Sequence, residues 1–362
     1  MDEQYYHRVA NFVAGGLGYI SPAAFDAGSH QPSAEKPPLY SLILALESKL
    51  GLSSFHSHRV LGAFLGMATI VLLALLARRV GGPRLALITA SLVALDPVLW
   101  KWDSQVLSEP LYAPLVALIL LAAYALREKP STRNGALLGL AIGLAALTRP
   151  EALIFVPLLL LLFGWQQRRV LGLMCVVAAV VVSPWVIRNW SVFDRPLMSN
   201  QSAETIAGAN CPTTYHGVGL GFWDVRCLKP PGRVTGNEAE QAAAWKHTGI
   251  DYAGDHLGRV PIVVAARIGR TWGFFRPLGT RLEEVVAWIL LALALPGVVI
   301  LRRRRVPVAI LLLPALVVTI ASMLSFGWLR YRFGADLAFL VLAAVTVEAL
   351  LLAALPRLRS DP

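Results

Sequence analysis

Residues 58–77 read HRVLGAFLGMATIVLLALLA and run directly into Arg78-Arg79. Beyond Arg59 the stretch has no Asp, Glu, Lys or Arg until Arg78. At 1.5 Å per residue it is long enough, as a helix, to cross the roughly 30 Å of a bilayer's hydrocarbon. The arginine pair at its end has the bias of a cytoplasmic helix end. Comparable apolar stretches lie near residues 85–100, 109–126, 135–148, 152–165, 170–187, 284–301, 307–326 and 334–354. Several are shorter than the roughly 20 residues of an upright span, and the boundary around Thr148-Arg149-Pro150-Glu151 is the least sharp.

The whole chain agrees with its spans. Across 362 residues, 56% are hydrophobic and 15% charged, and the mean hydropathy is +0.60, outside the range of soluble domains. The expected fold class is an all-α, polytopic integral membrane protein of about nine transmembrane helices with one long external loop. Basic clusters at Arg78-Arg79 and Arg84, at Arg127, Lys129 and Arg133, at Arg168-Arg169, at Arg302 to Arg305, and at Arg357 and Arg359 fall at alternate span ends. They place residues 1–57 and the loop near 189–283 outside and the C-terminus inside. The net charge of +11 is therefore a topology signal and excludes a nucleic-acid surface.

The expected organisation is a first external loop with interfacial helices over 1–57, a helix bundle over 58–188, the external loop over 189–283, and C-terminal spans over 284–362. Residues 1–57 are polar and have no signal-peptide core, so their export implies a hydrophobic helix upstream, with direct translocation of a short amino-terminal tail as the alternative. Cys211 and Cys227 share the external loop and are expected to form a disulfide that contributes about 3 kcal/mol, while Cys175 lies in an apolar span. Two cysteines with only His216 nearby do not make a zinc pattern. Residues 210–232 read as irregular chain. Asn237 followed by Glu240 predicts a capped helix running to about His256. The stretch Arg259 to Phe275, with Arg267 and Arg270, fits either an interfacial helix with Trp272, Phe274 and Phe275 at headgroup depth or an ordinary returning helix.

Charged residues then gather on the outer side: Asp2, Glu3, Lys36, Lys101, Asp103, Glu109, Arg149, Glu151, Arg188, Arg330 and Arg332. Charges at that depth are costly unless paired or wetted, so they predict a watery outward cavity. An acidic pair and a lysine at a lipid–water boundary supply a base and a counter-ion for chemistry on a lipid phosphate. Arg330-Tyr331-Arg332 breaks the positive-inside pattern, and its two guanidinium groups suit a phosphate. Tyr5, Tyr6, Trp102, Tyr215, Trp223 and Trp328 are candidates for stacking on sugar, or for anchoring at the interface, and Asp103 is a further candidate sugar or acceptor contact.

The order Asp2-Glu3-Gln4-Tyr5-Tyr6, Lys36-Pro37-Pro38-Leu39-Tyr40, Ser108-Glu109-Pro110-Leu111, Leu147-Thr148-Arg149-Pro150-Glu151, Pro184 to Asn189 and Arg330-Tyr331-Arg332 resembles the GT-C glycosyltransferases of the family 39 type. These include protein O-mannosyltransferases and lipid A aminoarabinose transferases. The resemblance covers nearly the whole chain and departs at the front, where the family's first transmembrane helix precedes the acidic pair. It implies transfer of a sugar from a polyprenyl phosphate to a protein, glycan or lipid acceptor, with inversion, at the extracytoplasmic face of a bacterial plasma membrane. It also implies Asp2 as base with Glu3 beside it, Lys36 on the donor phosphate, Glu109 as a second acidic residue, and Arg330 and Arg332 as the late basic motif. Arg149 joins the expected phosphate-binding set. No cofactor is required; a divalent ion shared by Asp2, Glu3 and Glu109 stays open, and no spacing demands it. A lipid or glycan transporter and a non-catalytic envelope subunit are the alternative classes.

Overall fold

The computed structural model describes residues 2–228, 237–276 and 279–354. The basic pair Arg357 and Arg359, and residues 229–232 of the expected irregular stretch, lie outside the described residues. The chain opens with α1 (Asp2–Ala14), α2 (Pro22–Asp26) and α3 (Leu39–Lys49) and enters the bundle with α4 (Phe55–Gly81). The bundle continues as α5 (Pro83–Leu95), α6 (Pro97–Asp103), α7 (Glu109–Glu128), α8 (Thr132–Ala146), α9 (Phe155–Phe163) and α10 (Arg168–Phe193). The long loop folds as α11 (Gln201–Ala209), α12 (Pro212–Tyr215), α13 (Glu238–Asp255) and α14 (Val260–Trp272). Helices α15 (Arg281–Arg303), α16 (Ala309–Leu324) and α17 (Phe333–Ala354) complete it.

All nine apolar stretches are helical, and the protein is a multi-pass membrane protein. Among the described residues, five helices are long and apolar enough to cross a membrane: α4, α7, α10, α15 and the run Leu329–Ala354. The stretch expected as a span over 85–100 is bent by 61° between α5 and α6, and counts as a sixth only if the pair is one span. The break has a local cause. Pro97 disfavours helical backbone at Asp96, which is extended at φ −73°, ψ 112°. The Asp96 carboxylate then caps α6 by accepting from the amides of Val98 (2.8 Å) and Leu99 (3.1 Å). The remaining apolar helices, α8, Pro150–Phe163 and α16, are shorter.

Burial sorts the helices by depth. In their most apolar windows α7 is 78% and Leu329–Ala354 61% buried, against 22% for α10 and 28% for α15. The first two are therefore the core of the bundle and the last two give one face to lipid. Small residues let the helices approach closely. Gly135, Gly139 and Gly143 recur every fourth residue along α8, and a Cβ at Gly139 would lie 2.3 Å from the Met174 carbonyl oxygen of α10.

In the long loop, Asn237 accepts from the Ala239 and Glu240 amides while Glu240 reaches back to the Asn237 amide, so the capped helix forms as expected. Cys211 and Cys227 are joined as a disulfide. Of the two readings of Arg259 to Phe275, burial selects the returning helix. Arg267 donates to the carbonyls of Met323 and Ala209, and Arg270 to those of Leu220, Val218 and Arg276. Arg267 thus ties the loop to the end of α16, and Arg270 ties segments of the loop to one another. Trp272 is inside the bundle, donating to Thr319 (3.2 Å) and packing on Phe339.

Gly139→Val should overpack the α8–α10 contact at a cost of about 1–3 kcal/mol. The expected result is a lower thermal midpoint and lower folded yield by size-exclusion chromatography in detergent; an unchanged midpoint would show that the helices are not in contact at this glycine.

Candidate functional site

On α1, Asp2, Tyr5 and Tyr6 are spaced three and four residues apart, so they share one face. That face meets Lys36, whose side chain is only 2% exposed. Its Nζ donates to Asp2 Oδ1 at 3.1 Å, lies 3.6 Å from Glu35 Oε1, and sits 5.6 and 5.7 Å from the centres of the Tyr5 and Tyr6 rings. A buried ammonium needs such partners, and two carboxylates and two aromatic faces supply them.

The backbone around Lys36 is held from three sides. Arg188, at the end of α10, donates to the carbonyls of Ser33 (2.8 Å) and Tyr19 (3.1 Å). The Tyr19 hydroxyl donates across to Ser41 (3.2 Å), and the Leu39 amide bonds the Leu147 carbonyl. From the long loop, the amides of Asn200 and Gln201 reach the carbonyls of Ala34 and Glu35, and Glu238 accepts from the Ala34 amide (3.0 Å).

From Asp2 the charges continue as a ladder. Asp2 Oδ2 lies 3.7 Å from Arg330 Nη1, and Arg330 Nε donates to Glu109 Oε1 at 2.5 Å. Arg149 Nη1 lies 3.0 Å from the same Glu109 oxygen and its Nε donates to Glu151 at 2.5 Å. Glu109, in the first turn of α7, is fully buried, and its Oε2 has no partner. Trp102 and Trp328 flank the Arg330 guanidinium, while Tyr112 and Tyr331 flank that of Arg149.

Asp2 is the opening in this ladder, because its side chain is 37% exposed while Lys36 and Glu109 are shut away. Burial pushes the Asp2 carboxyl up, but Lys36 and Arg330 outweigh it and hold the carboxyl below its ordinary value. Asp2 is therefore ionised at neutral pH. Burial pulls the Lys36 ammonium down, and Tyr6, Asp2 and Glu35 more than offset it, so Lys36 stays charged.

The structure thus brings together Asp2, Lys36, Glu109, Arg149, Arg330, Tyr5 and Tyr6 and sends three expected members elsewhere. Glu3 turns from Asp2 and accepts the Val106 amide at 2.9 Å, with Arg59 at 3.9 Å, so it anchors the loop before α7. Arg332 lies two residues beyond Arg330 on a tight 3-10 turn and points inward, donating to Asp336 (2.8 Å) and the Ala287 carbonyl (3.1 Å). Asp103 packs into the notch that Gly62 and Gly66 leave on α4, where a Cβ at Gly66 would stand 2.2 Å from its Oδ2. Asp2, Glu3 and Glu109 accordingly are not placed together as one ligand set: Glu3 is turned away and Arg330 stands between the other two. Among the described residues no group of three or more His, Cys, Asp or Glu side chains is placed to hold one.

Two further features were not anticipated. Glu35, Glu204 and Glu238 line the loop side of Lys36, and burial together with Glu35 pushes the Glu204 carboxyl up to about 7. Glu35 adjoins Lys36 in sequence and was visible there; Glu204 is placed only by tertiary packing. A small hollow also opens beside Arg330 between α6 and α15, lined by the apolar Leu99, Val286, Leu290 and Phe333 and by the charged Asp96, Glu283, Arg332 and Asp336.

Residues 35–188 match the family described as dolichyl-phosphate-mannose-protein mannosyltransferases. The match includes Lys36, Glu109 and Arg149 and leaves Asp2 and Arg330 outside it. No curated protein matches this sequence. Among solved structures, the chain is similar to the oligosaccharyltransferase of Archaeoglobus fulgidus in complex with Zn and sulfate, at 18% identity and a TM-score of 0.57, over 98% of this chain and 45% of that one. It is equally similar to AglB from the same organism, in complex with an inhibitory peptide and a dolichol-phosphate, at 17% identity and a TM-score of 0.57, over 99% of this chain and 47% of that one. The chain therefore spans less than half the length of these proteins, and the likeness shows a shared GT-C fold. ArnT from Cupriavidus metallidurans bound to undecaprenyl phosphate aligns at 15% identity with a TM-score of 0.45, over 100% of this chain and 76% of that one.

Glu109→Ala should leave Arg330 and Arg149 facing each other around an empty buried position, at a cost of about 3–5 kcal/mol. Thermal unfolding in detergent checks this: a large fall in midpoint is expected, and a fall no greater than that of Glu3→Ala would contradict the ladder.

Proposed function

We propose that the protein is a membrane glycosyltransferase that moves a sugar from a polyprenyl-phosphate donor to an acceptor at the extracytoplasmic face, in one displacement with inversion. The observation that carries this reading is the half-open Asp2 carboxylate held between two cations, Lys36 and Arg330. An acceptor hydroxyl is a poor nucleophile until its proton is taken, and Asp2 is placed and ionised to take it. The acceptor oxygen then bonds to the anomeric carbon as the bond from that carbon to the phosphate oxygen breaks. The lipid phosphate leaves with the electron pair. Lys36 and Arg330 stabilise the charge that develops on it in a setting of low dielectric.

The pairing has a second use. While no phosphate is present, the cations hold Asp2 ionised but weakly basic. A donor phosphate that takes over those cations leaves Asp2 a stronger base at the moment an acceptor can use it. Glu109 keeps Arg330 in place and Arg149 buttresses Glu109 from the far side. Lipid-linked donors are also consistent with the description of the family that residues 35–188 match and with the dolichol-phosphate bound to the related archaeal protein. The inhibitory peptide in that protein is consistent with a peptide acceptor, one of the three acceptor classes that the sequence left open.

In the full-length protein, Asp2→Asn should lower sugar transfer from radiolabelled polyprenyl-phosphate sugars by about 10²–10⁴-fold with unchanged abundance. Lys36→Ala should weaken donor use as well. Transfer at the wild-type rate by Asp2→Asn would remove this residue from the base role.

A further inference from the structure

On the side of α1 away from Lys36, four side chains from three helices close a circle. His7 Nδ1 lies 3.1 Å from His58 Nδ1 of α4, and His58 Nε2 lies 3.0 Å from Ser48 Oγ of α3. Ser48 Oγ lies 2.8 Å from Asn11 Oδ1, and Asn11 Nδ2 lies 3.3 Å from His7 Nε2. His58 is fully buried and Ser48 nearly so.

One outside contact sets the direction of this circle. Asn11 Nδ2 also faces the Ser53 carbonyl at 3.1 Å, and a carbonyl only accepts, so the amide nitrogen stands there and Asn11 Oδ1 faces Ser48. Asn11 then donates to His7 Nε2, which carries no proton, so a neutral His7 bears its proton on Nδ1. That proton points at His58 Nδ1, which must be bare, and a neutral His58 bears its own proton on Nε2. His58 donates to Ser48, and the Ser48 hydroxyl donates to Asn11 Oδ1, closing the circle. Within the circle each of the four groups gives one hydrogen bond and receives one, and both imidazoles must be neutral. One further proton places two N–H groups face to face across a gap of 3.1 Å, or sets one against the Asn11 amide.

No nearby charge favours that proton. On α1, Glu3 is engaged with the Val106 amide and Arg59, and Arg8 pairs with Asp26 of α2. On α3, Glu47 has one carboxylate oxygen buried without a partner, and Lys49 is exposed, as are His56 and Arg59 on α4. Among the described residues no carboxylate pairs with either imidazole, and burial lowers the His7 pKa below its ordinary 6.5.

We propose that His7, Asn11, Ser48 and His58 form a one-way hydrogen-bond ring that locks α1 onto α3 and α4, positions Asp2, and opens when it gains one proton. His7 sits five residues from Asp2, about 7 Å along the helix axis, so loss of the ring frees the segment that carries the proposed base. The positioning role rests on the base reading of Asp2; the ring itself does not. The sign follows from a lowered folded-state pKa: the ring's contribution is complete above about pH 6.5 and is lost as pH falls through the folded value.

Two measurements on the full chain in lipid nanodiscs test this without any transfer assay. In ¹⁵N-histidine NMR at about pH 7.5, a coupling across one imidazole–imidazole hydrogen bond is expected, its donor an Nδ1–H and its acceptor an Nδ1 whose ring is protonated at Nε2. The bond marks its own pair, since His7 and His58 are the only two of the seven histidines in such contact. Hydrogen exchange of residues 2–14, corrected for the intrinsic rate, should rise about tenfold between about pH 7.5 and pH 5. In the doubly substituted His7→Gln/His58→Gln chain, whose amides can donate and accept without titrating, it should stay flat. A charged imidazole in the pair at neutral pH, the reverse tautomers, or wild-type exchange insensitive to pH would overturn the ring. The NMR result decides even if the double variant does not fold. Either outcome leaves the Asp2→Asn test standing, because that test is read at neutral pH, where the ring is closed.

Discussion

A lysine ammonium withdrawn from water must find anions, and this requirement organises the polar end of the molecule. Lys36 finds them in Asp2 and Glu35, and the need to bring Asp2 within reach fixes where α1 lies. Asp2 draws in Arg330, Arg330 draws in Glu109 at the head of α7, and Glu109 holds Arg149. The charges therefore join the first helix, the loop before α3, the most buried helix and the start of the last span. Such a network adds little net stability over an apolar core. What it does is fix the positions of groups that lie hundreds of residues apart in the chain.

The membrane character and the membership of this ladder were legible in sequence for a physical reason. Long uncharged stretches leave few options other than spanning, and a charge kept at a span end in such a chain needs a partner on the same side. Lys36, Glu109, Arg149 and Arg330 could be found from that logic and from the order of short motifs. The directions of side chains could not. Glu3 and Arg332 each adjoin or nearly adjoin a ladder residue, yet helical and 3-10 geometry turn them to other faces, one onto the Val106 amide and one onto Asp336. Asp103 was a candidate sugar or acceptor contact, but two glycines on α4, far away in sequence, make room for it. Arg267 and Arg270 were visible as charges in an apolar stretch; the backbone carbonyls they satisfy become neighbours only when the long loop folds.

The apolar pattern also overstated continuity. Residues 85–100 read as one span because hydropathy is blind to a proline preceded by a capping aspartate, and Asp96-Pro97 breaks the helix there. The break has consequences for the site. It leaves α6 at an angle to α5, with Trp102 against the Arg330 guanidinium. The histidine ring was illegible for a different reason, since His7 and His58 are 51 positions apart and sit in segments with no shared motif.

The central claim is that one cation pair, Lys36 and Arg330, receives a lipid phosphate beside Asp2. A structure of the full-length protein in nanodiscs with bound polyprenyl phosphate tests it most directly. The account predicts phosphate oxygens within hydrogen-bonding distance of Lys36 Nζ and the Arg330 guanidinium. A phosphate bound elsewhere, with the contacts of Lys36 and Arg330 to Asp2 unchanged, would contradict it.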